Sequence, residues 1–432
     1  MYSSLRYLTV VGLCLLAAIS QSVASPDPTP ARLSLDAALS RAMEYNYAIQ
    51  AAQRRVGIRA GEAEHAGRLF PSNPELELER ADREAPDGSS TTDLGITLKQ
   101  EIWMGNKGDL REEAANLRTK AARNELDFLR TSVAARTRRA FMRVLLAREA
   151  VRTAERVVEL AERLQRYARR RKQAGEATRM EVNVAVIGLG RARAERVRAE
   201  RDLTRARLTL AEILNIDPSR PLEPQGELQP VALNLPNTNT LVRRALDRRR
   251  DLAGSAQAVL AARKELRLAN REIIPNLTIM GFYKEEESAE ITGLGVSVPI
   301  PLFHYYSGEQ AAAGERLQLA QVERDALMLQ VRRETLQGIA DYRAARRRVD
   351  LLNDDMLAAA EQNLRLTRVA FSEGKVGAPA ITTAQDNLLN VRRTYLDALD
   401  ELISAATALE RATGGLIHMG QGVPKTDSRE KS

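Results

Sequence analysis

The sequence predicts a mainly α-helical chain with a small β part, made of one unit written twice. Three observations predict it. A small or apolar residue stands at every seventh position in Ala185, Ala192, Ala199, Ala206 and Ile213, and a second row runs four residues behind in Leu189, Arg196, Leu203 and Leu210, broken only by Arg196. The same two rows recur 199 residues later, as Ala384, Val391, Ala398, Ala405 and Ala412 with Leu388, Tyr395, Leu402 and Leu409. Sustained heptads of small residues mean helices in close side-by-side contact, and their return in phase means an internal duplication. Lastly, Glu75-Leu76-Glu77-Leu78-Glu79 and Leu94-Gly95-Ile96-Thr97-Leu98-Lys99 alternate with period two, the pattern of strands.

Residues 1–24 read as a secretory signal: Arg6, an apolar run from Leu8 to Ile19, then Ser22-Val23-Ala24 before Ser25. That run is about 12 residues, short of the ~20 that a spanning helix needs. Leu13 before Cys14 argues against lipidation. Cys14 is the single cysteine, so the processed chain is expected to hold neither disulfide nor thiolate metal site.

The first copy covers residues 25–217. Ser34 or Asp36 can cap a helix with Leu35, Ala38, Leu39, Ala42, Ala48, Ile49, Ala52 and Val56 on its apolar face, ending near Leu69 because Pro71 and Pro74 block it. The alternating runs on either side of the turn-rich Ala85 to Thr92 form a hairpin. A helix from about Asp109 to Gln173 would be roughly 95 Å long. Its seam is Val133, Ala140, Ala147, Ala154, Ala161 and Ala168; Ala174-Gly175 stop it, and a return helix runs to about Asn215. Five prolines between Pro218 and Pro236 mark a connector, 218–238. The second copy, 239–415, keeps the order. Leu241, Ala245, Leu246, Leu252, Ala256, Val259 and Leu260 make its first helix. Asn276 to Tyr283 and Ile291 to Val298 make its hairpin. A long helix from about Ser307 carries the seam Val331, Gly338, Ala345, Leu352, Ala359 and Leu366 to Gly374, and the return helix ends at Gly414-Gly415. Residues 416–432 read as a loose polar tail.

Of 432 residues, 28% are charged and 4% aromatic, which favours long helices over a thick mixed core. The net charge of +8 arises from 65 basic and 57 acidic residues, and basic runs such as Arg169 to Lys172 read as solvated helix faces, since nothing beside them would stack bases or cradle phosphates. His65, His304 and His418 lack partners at metal-binding spacing. Gly293-x-Gly295 opens a strand, not a helix, so it is no nucleotide fingerprint. The expectation is a non-enzyme with no catalytic residue, cofactor, bound metal or nucleic-acid partner.

Four strands are too few to close a barrel, and several copies sharing one sheet would supply the closed β-structure that an outer membrane admits. Here motifs enter: Pro71-x-x-Pro74-Glu75-Leu76 into the first strand, Val298-Pro299-Ile300-Pro301-Leu302-Phe303 out of the last, Gly175-x-x-Thr178-x-x-Glu181-x-x-x-Ala185 at one helical turn and Gly374 with Ala384-Gln385 at the other. In these the chain resembles the outer-membrane efflux protein (TolC-like) family over about Leu33 to Gly415, most of all its CzcC-type heavy-metal cation branch. It departs where that branch often has Gly-Gly-Lys-Arg, reading Trp103-Met104-Gly105-Asn106-Lys107-Gly108, and in Ala380, where an acidic residue is expected.

The resemblance implies a homotrimer whose helices form a periplasmic α-barrel and whose hairpins share one β-barrel in the outer-membrane lipid. It implies the exit duct of a tripartite efflux system with a periplasmic adaptor and an inner-membrane RND-type pump, exporting divalent heavy-metal cations. The same duct for drugs, organic solutes or a secreted polypeptide is the alternative; a structural periplasmic coiled-coil protein is the rival of another class, and has no use for two hairpins in register with the repeat. Ducts of this family turn their helices at a periplasmic tip where the adaptor docks, which places Gly175, Glu176, Thr178, Arg179, Glu181, Gly374, Lys375 and Gly377 there, with Glu373. Helix capping and local pairing explain the same charges without docking. Glu75, Glu77 and Glu79 share a strand face that would line the lumen together with Lys99, leaving Leu76 and Leu78 to lipid, and could form a cation-concentrating negative rim; a solvated strand face is the other reading.

Overall fold

The computed structural model describes residues 33–415 except 85–87, 89, 220–221, 229–230, 287–288 and 353. The signal segment, Cys14, His418 and the 416–432 tail lie outside the described residues.

The first expected helix is two helices, α1 (Leu35–Tyr45) and α2 (Tyr47–Ala66). The break is at Asn46, whose backbone is extended (ψ 123°). Its side chain explains why: Nδ2 donates to the Ile213 carbonyl at 2.8 Å, while Oδ1 accepts from the Ala48 amide and restarts the helix. The chain leaves α2 at Gly67, before the expected Leu69.

After β1 (Glu75–Glu84) and β2 (Ser90–Ile102) comes α3 (Lys107–Gln173), 67 unbroken residues. Val133, Ala140, Ala154, Ala161 and Ala168 of its expected seam are buried and Ala147 is partly so. It packs along α4 (Arg179–Ile213), where Ala185, Leu189, Ala192, Ala199, Ala206 and Leu210 are buried. In the proline connector Pro224 is bridged to Leu33. The first helix expected of the second copy is also two, α5 (Thr238–Arg248) and α6 (Arg250–Arg271), which meet at Arg249, again extended, with ψ 122°. Leu260, expected on the inner face, is exposed.

The strands β3 (Leu277–Glu286) and β4 (Ala289–Ser297) do not form a separate hairpin sheet: β2 pairs with β3, giving one antiparallel sheet in the order β1-β2-β3-β4. The second long helix departs from expectation. It is α7 (Ser307–Leu351) and α8 (Asp354–Ser372), and α9 (Ala378–Ala412) returns. Val331, Gly338 and Ala345 are buried as expected, but Leu352 has left the helix, and Ala359 and Leu366 are exposed. The interruption turns α8 about its own axis, so that Leu364 and Phe371 face α9 instead. The interior is a series of apolar clusters strung along the helical hairpins, the largest where α1, α3 and α4 meet and where α7 and α9 meet. Among the described residues, no helix is long and apolar enough to cross a membrane.

Candidate functional site: the sheet faces and the helical tip

Strand register sorts the sheet into two unlike faces. Glu75 stands opposite Lys99, Glu77 opposite Thr97 and Glu79 opposite Gly95. Lys99 in turn stands opposite Met280, and Gly95 opposite Lys284. The four expected residues therefore share one face. Two of the three carboxylates are paired: Lys99 with Glu77, and Lys284 at 3.8 Å from Glu79. The expected negative rim is thus a mixed ionic row. Further along this face Phe282 lies over Gly293 and Met280 over Gly295; a Cβ on Gly293 would come within 2.4 Å of the Phe282 ring. Those glycines are required by close approach.

The opposite face is aliphatic in its middle rows, with Arg80, Glu285 and Glu290 in the row toward the strand-joining loops. It carries Leu76, Leu78, Leu94, Ile96, Leu98, Ile279, Leu294 and Val296, all exposed, Leu294 at 88%. A sheet with one ionic face and one exposed aliphatic face matches lipid on one side and water on the other.

At the far end of the helical hairpins the two turns are copies of each other. Gly175 has φ +80° and Gly374 φ +76°. The amide of Glu176 donates to Arg171 O and that of Lys375 to Ala370 O, both at 2.8 Å, the six-to-one bond that closes a helix on a left-handed residue. They restart differently. Thr178 and Glu181 form a reciprocal capping box. Gly377, at the matching place, has no side chain to cap with, and the Glu181 carboxylate occupies that side of it, 3.2 Å from where a Cβ would be. The turns therefore touch, above a shared cluster of Leu164, Ala168, Ala185, Phe371, Ala378 and Ile381. Tyr167 meets Phe371 edge-on at 5.1 Å. The Arg171 guanidinium donates to Glu176 O at 3.0 Å, and Lys375 pairs with Glu373 at 2.6 Å. Around Gly175 and Gly374 there is open space.

The chain that carries this sheet and these turns has known relatives. Residues 38–215 and 241–415 match the outer membrane efflux protein family. The chain belongs to that family. The efflux protein is 28% identical to the cobalt-zinc-cadmium resistance protein CzcC of Cupriavidus metallidurans, over 88% of this chain and 90% of that protein. It is 25% identical to the pyoverdine export outer membrane protein OpmQ of Pseudomonas aeruginosa, over 78% and 70%. Its fold resembles the crystal structure of the Campylobacter jejuni CmeC outer membrane channel with a TM-score of 0.79 at 16% identity, covering 90% of this chain and 87% of that one. The efflux protein is an outer-membrane channel, and the family model matches it in two separate stretches.

Sequence reasoning missed the residues that tie each copy's ends together. Asn46 binds the carbonyl of Ile213, the last residue of α4; Arg249 reaches the carbonyl of Ala412, the last residue of α9. Arg249 is 2% exposed, grips Asp251, donates to Glu334 at 2.7 Å and lies 4.8 Å over the Phe128 ring. Glu334 feels two opposed effects. Burial pushes its carboxyl up, but hydrogen bonds from Gln330 and Arg249 and the charges of Arg249 and Arg411 outweigh it and hold the group below its ordinary value. The only sequence signal was the shared interruption of the apolar pattern at the two breaks.

Proposed function

We propose that three chains assemble into an exit duct, pooling their strands in the outer membrane and their helices into a periplasmic tunnel, and that the duct receives divalent heavy-metal cations from an RND-type pump through a periplasmic adaptor. The observation that carries this reading is the two-faced sheet. Among the described residues its edges, β1 and β4, are unpaired within the chain, and an open edge is not tolerated in hydrocarbon. Four strands per chain and three chains give a closable sheet, with Glu75, Glu77, Glu79 and Lys99 toward the lumen and the leucines toward lipid. The pairing of two of the three lumen carboxylates with lysines favours a passage that conducts ions without holding them, which leaves selection to the pump. The paired turns at the other end, with Gly175, Glu176, Thr178, Arg179, Glu181, Gly374, Lys375 and Gly377, form the surface that meets the adaptor. The cation assignment rests on likeness to the CzcC protein; likeness to a pyoverdine exporter supports the second reading, export of organic solutes.

Deleting the gene and measuring growth separates the readings. Heightened sensitivity to zinc, cobalt or cadmium is expected. Normal metal tolerance with heightened sensitivity to dyes or antibiotics would instead establish the second reading. A monomer in the soluble periplasmic fraction would refute the duct itself.

A further inference from the structure

A cavity of about 390 Å³ lies at the foot of the sheet, where α2 and α6 both pack on α3 and leave a cleft between them. Small-ligand sites are of this size, ~300–1,000 Å³. Its floor is small: Ala114 and Ala115 of α3, both buried. Its upper wall is aromatic: Phe70, from the turn into β1, and Trp103, from the exit of β2. Trp103 opens the stretch in which the chain departs from its branch of the family, and it is the single tryptophan of the sequence. Two neighbours hold its ring. Gly108 leaves it room, since a Cβ there would come within 3.2 Å of it, and the Arg111 guanidinium stands 4.3 Å from the ring centre.

The rest of the lining is basic. Arg59, Arg68, Arg111 and Arg118 stand with His65 against two carboxylates, Glu62 and Glu265. Arg59 pairs with Glu62, and Arg118 with Glu265. Arg111 reaches Glu272 at 3.2 Å, but that carboxylate is shared with the buried Lys107 at 3.4 Å. Arg68 is exposed and has no ion pair among the described residues. The Glu112 side chain lies against Gly67, outside the lining. Positive charge is therefore in excess beside an aromatic wall. Part of that excess is not inherited from the duplication. Taking the breaks at Asn46 and Arg249 as equivalent, Ala262 and Leu268 stand in the second copy where Arg59 and His65 stand in the first, while Arg68 keeps a basic counterpart in Arg271.

We infer that this cavity binds a planar organic anion, an aromatic carboxylate being the simplest. Arg68 offers a free fork to the carboxylate, the geometry in which guanidinium groups hold one with two parallel bonds. Phe70 and Trp103 offer faces to the ring. A bare metal cation finds only repulsion from the unpaired guanidinium. Trp103 comes next after Lys99 and Glu101 in the alternation of β2, and so stands at the foot of the ionic face. That face is the proposed lumen. The cavity thus assigns a solute class to the second reading, export of organic solutes, and only its place in the passage rests on that reading.

The single tryptophan reads the site without a label. Trp103 emission, excited at the red edge where tyrosine does not absorb, is followed in detergent-extracted full-length protein. Benzoate is expected to change it saturably. Benzylammonium, of similar size and opposite charge, and zinc ions should not. Iodide should quench it more strongly than caesium, because a basic lining concentrates anions. Arg68→Ala, at an exposed side chain, should weaken benzoate about tenfold, the loss of one charged contact. Arg68→Lys should recover only part, since an ammonium keeps the charge and not the fork. Helical circular dichroism unchanged from the parent confirms that each variant is folded. A benzoate response that rises without saturating, an equal response to benzylammonium, or parental binding by Arg68→Ala overturns the inference. None of these results touches the duct itself, which metal sensitivity of the deletion strain and the oligomeric state decide separately.

Discussion

Replacing Arg249 with alanine should destabilise the chain more than any exposed substitution. The side chain is almost fully buried and serves four partners at once: Asp251, Glu334, the Ala412 carbonyl and the Phe128 ring. Removing one member of a buried ionic cluster leaves the others uncompensated, typically about 3–5 kcal/mol. Here Asp251 and Glu334 are each about 15% exposed, so water relieves part of that cost and the low end of the range applies. The side-chain void adds to it. Arg249→Lys should recover little, because an ammonium cannot keep the fork that grips Asp251 while also reaching Glu334 and Ala412. Arg249→Ala combined with Glu334→Gln should be less damaging than the sum of the two single changes, since one orphaned charge has gone. Thermal unfolding of detergent-extracted protein, followed by helical circular dichroism, measures all four variants. Should Arg249→Ala melt with the parent, or Arg249→Lys match it, the cluster would be an incidental surface pairing and not the fastening of α9.

Glu334 sets a pH limit on the same cluster. Its carboxyl is held below the ordinary 4.5, so its contribution is present above that value and is lost as pH falls through the folded-state pKa; acid titration of stability should show a loss that Glu334→Gln lacks. Ala398→Phe, at a fully buried seam position, should cost more than Ala199→Phe, within the ~1–3 kcal/mol typical of overpacking, and equal trimer yield and melting for both variants and parent would contradict the seam. Gly175→Val with Gly374→Val forces two β-branched residues into left-handed backbone at roughly 1–2 kcal/mol each; because the surroundings are open, the variant should reach the outer membrane as trimer yet lose adaptor pull-down and export. Normal export would separate the tip from docking, and absence from the membrane would make these glycines structural. Leu78→Lys should impair insertion by ~2–4 kcal/mol if its face meets the bilayer midplane, whereas Thr97→Lys, on the ionic face, should insert normally; equal insertion would undo the assignment of faces.

Most of the architecture was legible because it is periodic. A heptad of small residues has one interpretation at helix length, and α3, α4 and α9 lie where their seams place them. Period-two runs located β1 and β2, and the repeat carried them to β3 and β4. Pooling of the strands in one sheet was expected from their small number, but the order β1-β2-β3-β4 was not legible, since pairing of β2 with β3 depends on where the helices of the two copies bring them. The three helix breaks escaped for a different reason. Asn46 and Arg249 interrupt helices through bonds to carbonyls 167 and 163 residues away, which no local propensity records. The break after Leu351 carries neither proline nor glycine, so the seam was extended through it to Ala359 and Leu366. At the tip, glycine revealed the left-handed turns, but not that the Glu181 carboxylate would fill the space beside Gly377.

The duplication is imperfect in one mechanical respect. The first copy sends a single 67-residue helix from sheet to tip, while the second covers the same distance with α7 and α8 joined end to end. Bending a continuous helix strains a ladder of backbone hydrogen bonds, and α3 carries that ladder unbroken over its whole length. In the proposed ring of such chains, continuous and divided staves would alternate, so any difference in stiffness between them would repeat with the chains and not with the copies.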